Sequence, residues 1–185
     1  MPEMTDVYDA NRKLTGRTVP RGQNGPGEYR LITHVCVFSC DRMLIQLRSP
    51  EKKSLGGYWD VSAGGQVDAG ERSEEGAARE LREELGIDRT IRPFDLAATI
   101  RFDRGFDDFY CIDYNEEEVV LQESEVSDWR WASLEEILAM IEARFFIQYR
   151  EGFIRELFRL HAEGGRIETD NDTAFHSMNR YTSDS

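Results

Sequence analysis

The chain predicts an α/β fold: a mixed β-sheet with helices on both faces, preceded by a β-hairpin. Three observations carry this. Apolar, β-branched runs at Leu31 to Phe38, Met43 to Leu47 and Leu96 to Phe102 have the length and composition of strands. The stretch from Ser73 to Leu85 carries apolar residues at helical spacing, with Ser73 placed to cap it and Gly86 to end it. The chain has 185 residues, 39% of them hydrophobic, which suits one domain with a real buried core.

The elements follow in order. Asp6 to Arg21 reads as two strands around a Thr15-Gly16 turn, then a glycine-proline linker from Gly22 to Gly27. Residues 1–29 are therefore set apart as a hairpin extension and linker. Leu31 to Phe38 and Met43 to Leu47 pair through a turn at Ser39 to Arg42. Tyr58 to Ala63 is a further strand, and after the helix come strands at Leu96 to Phe102 and Asp108 to Tyr114. Trp129 to Trp131 leads into a helix opened by Ser133 and Glu136 at capping-box spacing. A last helix, from about Tyr149 to Ala162, has Phe153, Ile154, Leu157 and Phe158 on one face and is closed by Gly164-Gly165. The core domain is assigned to residues 30–169, and residues 170–185 form a polar, frayed tail.

The first helix holds the chemistry. Ala77, Ala78, Leu81 and Leu85 make an apolar stripe, while Glu80, Glu83 and Glu84 gather on one flank, with Glu83 and Glu84 expected to be exposed there. Like charges at these spacings destabilise a helix by roughly 0.2 to 0.5 kcal/mol per pair, and glutamates in its last turn oppose the dipole. A bound divalent cation reverses both penalties. Hard oxygen donors suit magnesium, with manganese as a substitute, and the Gly64-Gly65 turn can add a backbone carbonyl.

The residues from Gly65 onward also form a long fixed pattern: Gly65, five residues, Glu71, seven residues, then Arg79-Glu80-Leu81-Arg82-Glu83-Glu84-Leu85-Gly86-Ile87. At ordinary residue frequencies such a run matches by chance about once in 10⁹ starting points. It resembles the signature of the Nudix hydrolases. The resemblance implies an α/β/α sandwich and Mg2+-dependent attack of water on a phosphorus of a diphosphate compound, such as a nucleoside diphosphate linked to a second group. It implies metal ligands at Gly65, Glu80, Glu83 and Glu84, and an Arg79 that braces Glu71. Glu83 is the choice for general base. Other carboxylates that the later loops offer are Asp107, Asp108, Glu116, Glu117, Glu118, Glu123 and Glu125.

Within that family the hairpin and the stretch from Leu47 to Asp60 resemble the branch related to type I isopentenyl diphosphate isomerase. By this likeness Arg48 and Lys53 contact the diphosphate, and Tyr149 occupies the place of an aromatic that shields the isomerase's substrate. The isomerase's own chemistry is missing. Its catalytic cysteine falls on Gly64, a metal histidine falls on Gln66, and a second falls near Arg30, whereas the Nudix glutamates are intact. Diphosphate hydrolysis is thus the expected activity, with an isomerase-like enzyme or a non-catalytic diphosphate-binding regulatory module as alternatives.

Composition narrows the partners. A net charge of −13 argues against a long nucleic acid, since a backbone binder carries a basic face. No apolar run reaches the roughly 20 residues of a membrane span, so a cytoplasmic enzyme acting on a small-molecule diphosphate is expected. Cys36, Cys40 and Cys111 lack paired zinc spacing and read as structural. His34, His161 and His176 likewise read as structural or exposed. Trp59 reads as core. The hairpin is open to two roles, closing over the pocket or joining two subunits of a homodimer.

Overall fold

The computed structural model describes residues 2–115, 118–165 and 167–170. The chain opens with an antiparallel hairpin, β1 (Met4–Tyr8) and β2 (Leu14–Pro20). The turn falls at residues 9–13, where the Asp9 carboxylate accepts from the backbone N–H of Asn11 and of Lys13. Thr15 and Gly16, expected at the turn, are instead inside β2. The Asp9 side chain supplies a local acceptor for two backbone donors, and that outcompetes the glycine as a turn former.

Next come β3 (Arg30–Ser39) and β4 (Arg42–Arg48), followed by the short β5 (Trp59–Asp60) and β6 (Ala63–Gln66). The single strand expected from Tyr58 to Ala63 is divided because β5 pairs with β4 and β6 with β3. The break falls at Val61 and Ser62, where Ser62 Oγ accepts from Val37 N and donates to the Leu44 carbonyl. Helix α1 spans Ser73–Leu85 and stops at Gly86, whose φ of 68° is the left-handed value that glycine adopts without strain. The cap is Arg72 rather than Ser73. The Ser73 hydroxyl is drawn instead to the buried Asp108 carboxylate at 2.5 Å, a charged acceptor stronger than a helix-end amide.

Strands β7 (Leu96–Phe102), β8 (Gly105–Asp113) and β9 (Val126–Ser133) follow, then α2 (Leu134–Glu142), α3 (Glu151–Glu163) and β10 (Ile167–Asp170). Ser133 caps α2, accepting from Glu136 N while Glu136 accepts from Ser133 N. Gly164, φ 66°, ends α3. The sheet runs β10-β7-β8-β3-β4-β5, with β6 on β3 and β9 on β4. It is mixed: β3 with β8 and β7 with β10 are parallel, the other pairs antiparallel.

Alternation along β3 sends Val35 and Val37 to one face, where they meet Ala77, Leu81 and Leu85 of α1. Cys36 and Phe38 face the other way and pack with Ile137, Ile141, Phe153 and Leu157 of α2 and α3. Helices thus cover both faces of the sheet, which is the α/β/α sandwich. Tyr149 is fully buried, its hydroxyl donating to Asp60 at 3.0 Å, so it ties the start of α3 to the sheet. No helix among the described residues is long and apolar enough to cross a membrane. The tail assigned to residues 170–185 lies outside the described residues from position 171.

Candidate active site

The site is organised around two glycines of β6. Gly64 sits opposite His34 and Gly65 opposite Thr33 in the β3–β6 pairing, so their missing side chains belong to opposite faces of the sheet. On the helix face, a Cβ at Gly65 would lie 2.3 Å from Glu80 Oε1, which only glycine avoids. On the other face, a Cβ at Gly64 would come within 2.9 Å of His34 Nδ1. The backbone N–H of Gly64 donates to Glu84 Oε2 at 3.0 Å, and Gln46 Nε2 donates to the same oxygen at 3.1 Å.

Glu80 and Glu84 are both buried, at 7% and 3% exposure. This corrects the picture of Glu84 on an open helix flank: the last turn of α1 faces β4 and β6, and Glu84 points inward with Leu81 and Leu85. Burial, then the neighbouring Glu80, push the Glu84 carboxyl up to about 7, against the Gly64 N–H, Gln46 and Lys52. Burial also raises Glu80, opposed by Arg79. The protein holds two carboxylates together where neither is comfortable as an anion.

Arg79 gathers the rest. Its Nε and Nη2 donate to the two oxygens of Glu71 at 3.0 and 3.1 Å, and Nη1 reaches Glu80 at 2.7 Å and Glu83 at 3.2 Å. Nη2 also donates to the Gln66 carbonyl at 3.2 Å. One guanidinium therefore ties the loop before α1, the strand β6 and the helix together. Burial alone would weaken its charge, but the bonds to Glu71 and Glu80 outweigh that and hold the proton more firmly than in a free arginine. Glu83 is half exposed and turned to this arginine.

Among the described residues no three acidic, histidine or cysteine side chains converge as a finished metal cluster, and Glu83 lies on Arg79. The donor set nevertheless fits a hard divalent ion. Oxygen ligands predominate, Gly65 leaves room against Glu80 that any other residue would fill, and burial outweighs Arg79 and Lys52 in raising the two carboxyls.

Beside this lies a cleft of about 380 Å3, floored by Ile32 and His34 and walled by Gly64, Gly65, Arg21 and Arg48. Arg48 stands 3.6 Å from Asp60 and donates to the Ser54 carbonyl at 3.3 Å, and its Nε is buried without a partner. Lys53 is exposed. Its neighbour Lys52 turns inward, pairs with Glu125, and feels both Glu84 and Glu80; burial and then Arg48 lower its affinity for a proton. The sequence reading missed Lys52, because two adjacent lysines in a loop carry no periodicity to say which faces in.

Of the other carboxylates, Asp107 and Asp108 are fully buried, and Glu125 is half buried in the pair with Lys52. Glu118 and Glu123 are exposed, and Glu116 and Glu117 lie outside the described residues. Asp108 accepts from Ser73 and Thr99 and pairs with Arg12, which anchors the hairpin turn beside the start of α1. Trp59 packs on the core with the Arg130 guanidinium 5.3 Å from its ring centre. His161 stacks on Phe38 and contacts Asp113 at 2.9 Å; His176 lies outside the described residues. Cys36 is buried and Cys111 half buried, while Cys40 is exposed in the β3–β4 turn.

Comparison with known proteins agrees with this geometry. The NUDIX domain model matches residues 28–157. The chain belongs to the Nudix hydrolase family. A protein of Listeria monocytogenes serovar 1/2a named as an uncharacterized Nudix hydrolase is 39% identical over 162 residues, covering 85% of this chain and 95% of that one. An isopentenyl-diphosphate Delta-isomerase of Aromatoleum aromaticum is 28% identical over 122 residues, 63% of this chain and 64% of its own. The chain is thus related to the isomerase branch while keeping the Nudix glutamates. The crystal structure of a Deinococcus radiodurans protein superposes with a TM-score of 0.65 at 24% identity, over 85% of this chain and 98% of that one, a likeness of fold. Nudix hydrolases are pyrophosphohydrolases that generally use a divalent metal such as Mg2+.

Proposed function

We propose that this Nudix hydrolase cleaves the diphosphate linkage of a small anionic substrate, a nucleoside diphosphate joined to a second group or a compound of the same class, by attack of water on phosphorus. The observation that carries the reading is the buried Glu80–Glu84 pair pressed against Gly64 and Gly65. Glu80, Glu83, Glu84 and the Gly65 carbonyl would hold Mg2+, or Mn2+ in its place. When bound, the metal supplies charge neutralisation on the phosphoryl oxygens.

The chain's own groups do the remaining work. Arg79, fixed by Glu71, sets the helix against β6 so that Glu80 cannot drift. Arg48 binds the diphosphate from the cleft, and a planar guanidinium with a partnerless Nε suits that task. Lys52, released from Glu125, reaches the same phosphates; Lys53 stands behind it as a peripheral cation. Glu83, more accessible than Glu80 or Glu84, takes the proton of the attacking water. The enzyme works on a soluble small molecule, in the cytoplasm, and a homodimer through the hairpin is compatible with this assignment.

An isomerase requires a proton donor where this chain has Gly64, and a regulatory module gains nothing from two buried carboxylates that destabilise it. The test is a phosphate-release screen with Mg2+ over nucleoside triphosphates, nucleotide sugars, ADP-ribose, dinucleotides and isopentenyl diphosphate, coupled to a phosphatase. Turnover of one class is expected. Silence on every compound, with isopentenyl diphosphate bound but intact, would overturn hydrolysis.

A further inference from the structure

The face of β6 opposite the carboxylates holds a group that the hydrolytic reading does not use. His34 lies on the cleft floor, its ring stacked on Phe109 at 4.5 Å between centres and 12° between planes. Nε2 stands 3.4 Å from Asp107 Oδ1. Asp107 is fully buried, and its other oxygen has no partner, so among the described side chains His34 is the group facing that carboxylate. A buried carboxylate costs several kcal/mol unless a donor meets it, which fixes one ring nitrogen as the inward donor. The other nitrogen, Nδ1, is left facing Gly64, where the missing Cβ keeps it uncovered.

The surroundings say what that nitrogen would meet. Arg21, already paired with Glu3 and Asp68, and Arg48 line the same cleft, and Arg48 Nε and Gln66 Nε2 are donors without acceptors. The acid present, Asp60, is already engaged by the Tyr149 hydroxyl at 3.0 Å, by Val61 N at 2.8 Å and by Arg48. Donors in excess, converging on one cavity, fit an anionic oxygen. Resting on the diphosphate reading of the site, we propose that His34 is a substrate-binding residue for the phosphoryl group farther from the metal centre. Its ring acts as a donor at both nitrogens: Nε2 donates a hydrogen bond to Asp107 Oδ1 and Nδ1 donates to a phosphoryl oxygen. Asp107 is the positioning residue. The diphosphate then straddles the Gly64–Gly65 strand, with one phosphoryl group at the carboxylates and the other at His34.

The test uses methylenediphosphonate, a diphosphate analogue that water cannot cleave, added with Mg2+ to the full chain labelled with 15N in its histidines. Saturation is expected to shift the His34 ring nitrogens, and His34→Gln to weaken binding about tenfold, as loss of one charge-assisted hydrogen bond does. Asp107→Asn should weaken binding less and shrink the ring-nitrogen shift that the probe produces, whereas loss of a purely structural aspartate would leave that ligand-induced shift as in the wild type. Should Asp107→Asn fail to fold, His34→Gln and the wild-type spectrum decide the matter. Binding unchanged in His34→Gln, immobile His34 resonances at saturation, or no binding by the wild type at millimolar probe would each overturn the proposal. The hydrolytic reading fails separately: an enzyme that binds the analogue through His34 yet turns over no diphosphate would sink hydrolysis and keep this inference.

Discussion

The two faces of the Gly64–Gly65 strand are opposites. On the helix face, Glu71, Glu80 and Glu83 crowd around Arg79 and Glu84 is held by Gly64 N and Gln46, with Lys52 and Arg21 the further cations that act on them. On the cleft face, Arg21, Arg48 and His34 surround an Asp60 whose charge is already met. A chain of net charge −13 has therefore set two arginines and a histidine beside an acidic patch. Two adjacent glycines in one strand can thus serve a diphosphate: cation-seeking oxygens lie on one side and anion-seeking nitrogens on the other, with only backbone between them at Gly64 and Gly65.

The comparison breaks most sharply at the acidic face. Glu84→Gln and Glu80→Gln should each lower Mg2+-dependent turnover by roughly a hundredfold or more, since each removes a charge meant for the metal. Unchanged phosphate release by both variants would end the metal assignment. Glutamine keeps the acceptor for Gly64 N, so Glu84→Gln should fold, and circular dichroism checks that.

A second effect of similar size concerns the support of that face. Arg12 leaves the hairpin to pair with Asp108, which also holds Ser73 at the start of α1. Arg12→Ala strands a fully buried carboxylate and should cost about 3 kcal/mol in urea unfolding. A loss near zero would mean that Ser73 and Thr99 suffice and that the hairpin is an ornament to α1.

Acidity sharpens the contrast further. The Glu84 carboxyl rises from 4.5 in the unfolded chain to about 7 in the metal-free fold, so the fold prefers it protonated. Its contribution to stability is complete below pH 4.5, declines as pH climbs and is gone above about 7, a change of about 3 kcal/mol. Metal-free protein should therefore melt at lower temperature at pH 8 than at pH 5 by more than Glu84→Gln does, and Mg2+ should restore the loss at pH 8. Parallel melting curves for the two proteins across this range would contradict the assignment. The smallest effect falls between the faces. Lys52→Met should raise KM about tenfold, as loss of a charged contact does, and Lys53→Met should change it little; the reverse ranking would return the diphosphate contact to Lys53.

What the sequence made legible follows the range of the forces involved. The α1 boundaries, the Gly86 and Gly164 stops and the Ser133 cap of α2 all depend on residues within one helical turn, and the pattern displays them. Ser73 misled because its partner, Asp108, is 35 residues away. Glu84 was read as exposed because helical spacing gives a flank but not what packs on it; β4 and β6 close over it in three dimensions. Lys52 and Lys53 are indistinguishable in a loop until Glu125, 73 residues on from Lys52, selects one. His34 hid for the same reason: its partner Asp107 sits on a parallel strand, and two positions so far apart in the chain display no joint spacing.

The most direct test of the central claim is a titration with Mn2+ as the probe ion, followed by electron paramagnetic resonance of the free ion at pH 8 and pH 6. The account predicts binding by the wild type at pH 8, weaker binding at pH 6 as Glu84 takes up a proton, and loss of binding in Glu80→Gln and Glu84→Gln. Equal Mn2+ affinity in the wild type and both variants would show that the buried carboxylates at Gly64 and Gly65 are not the metal centre.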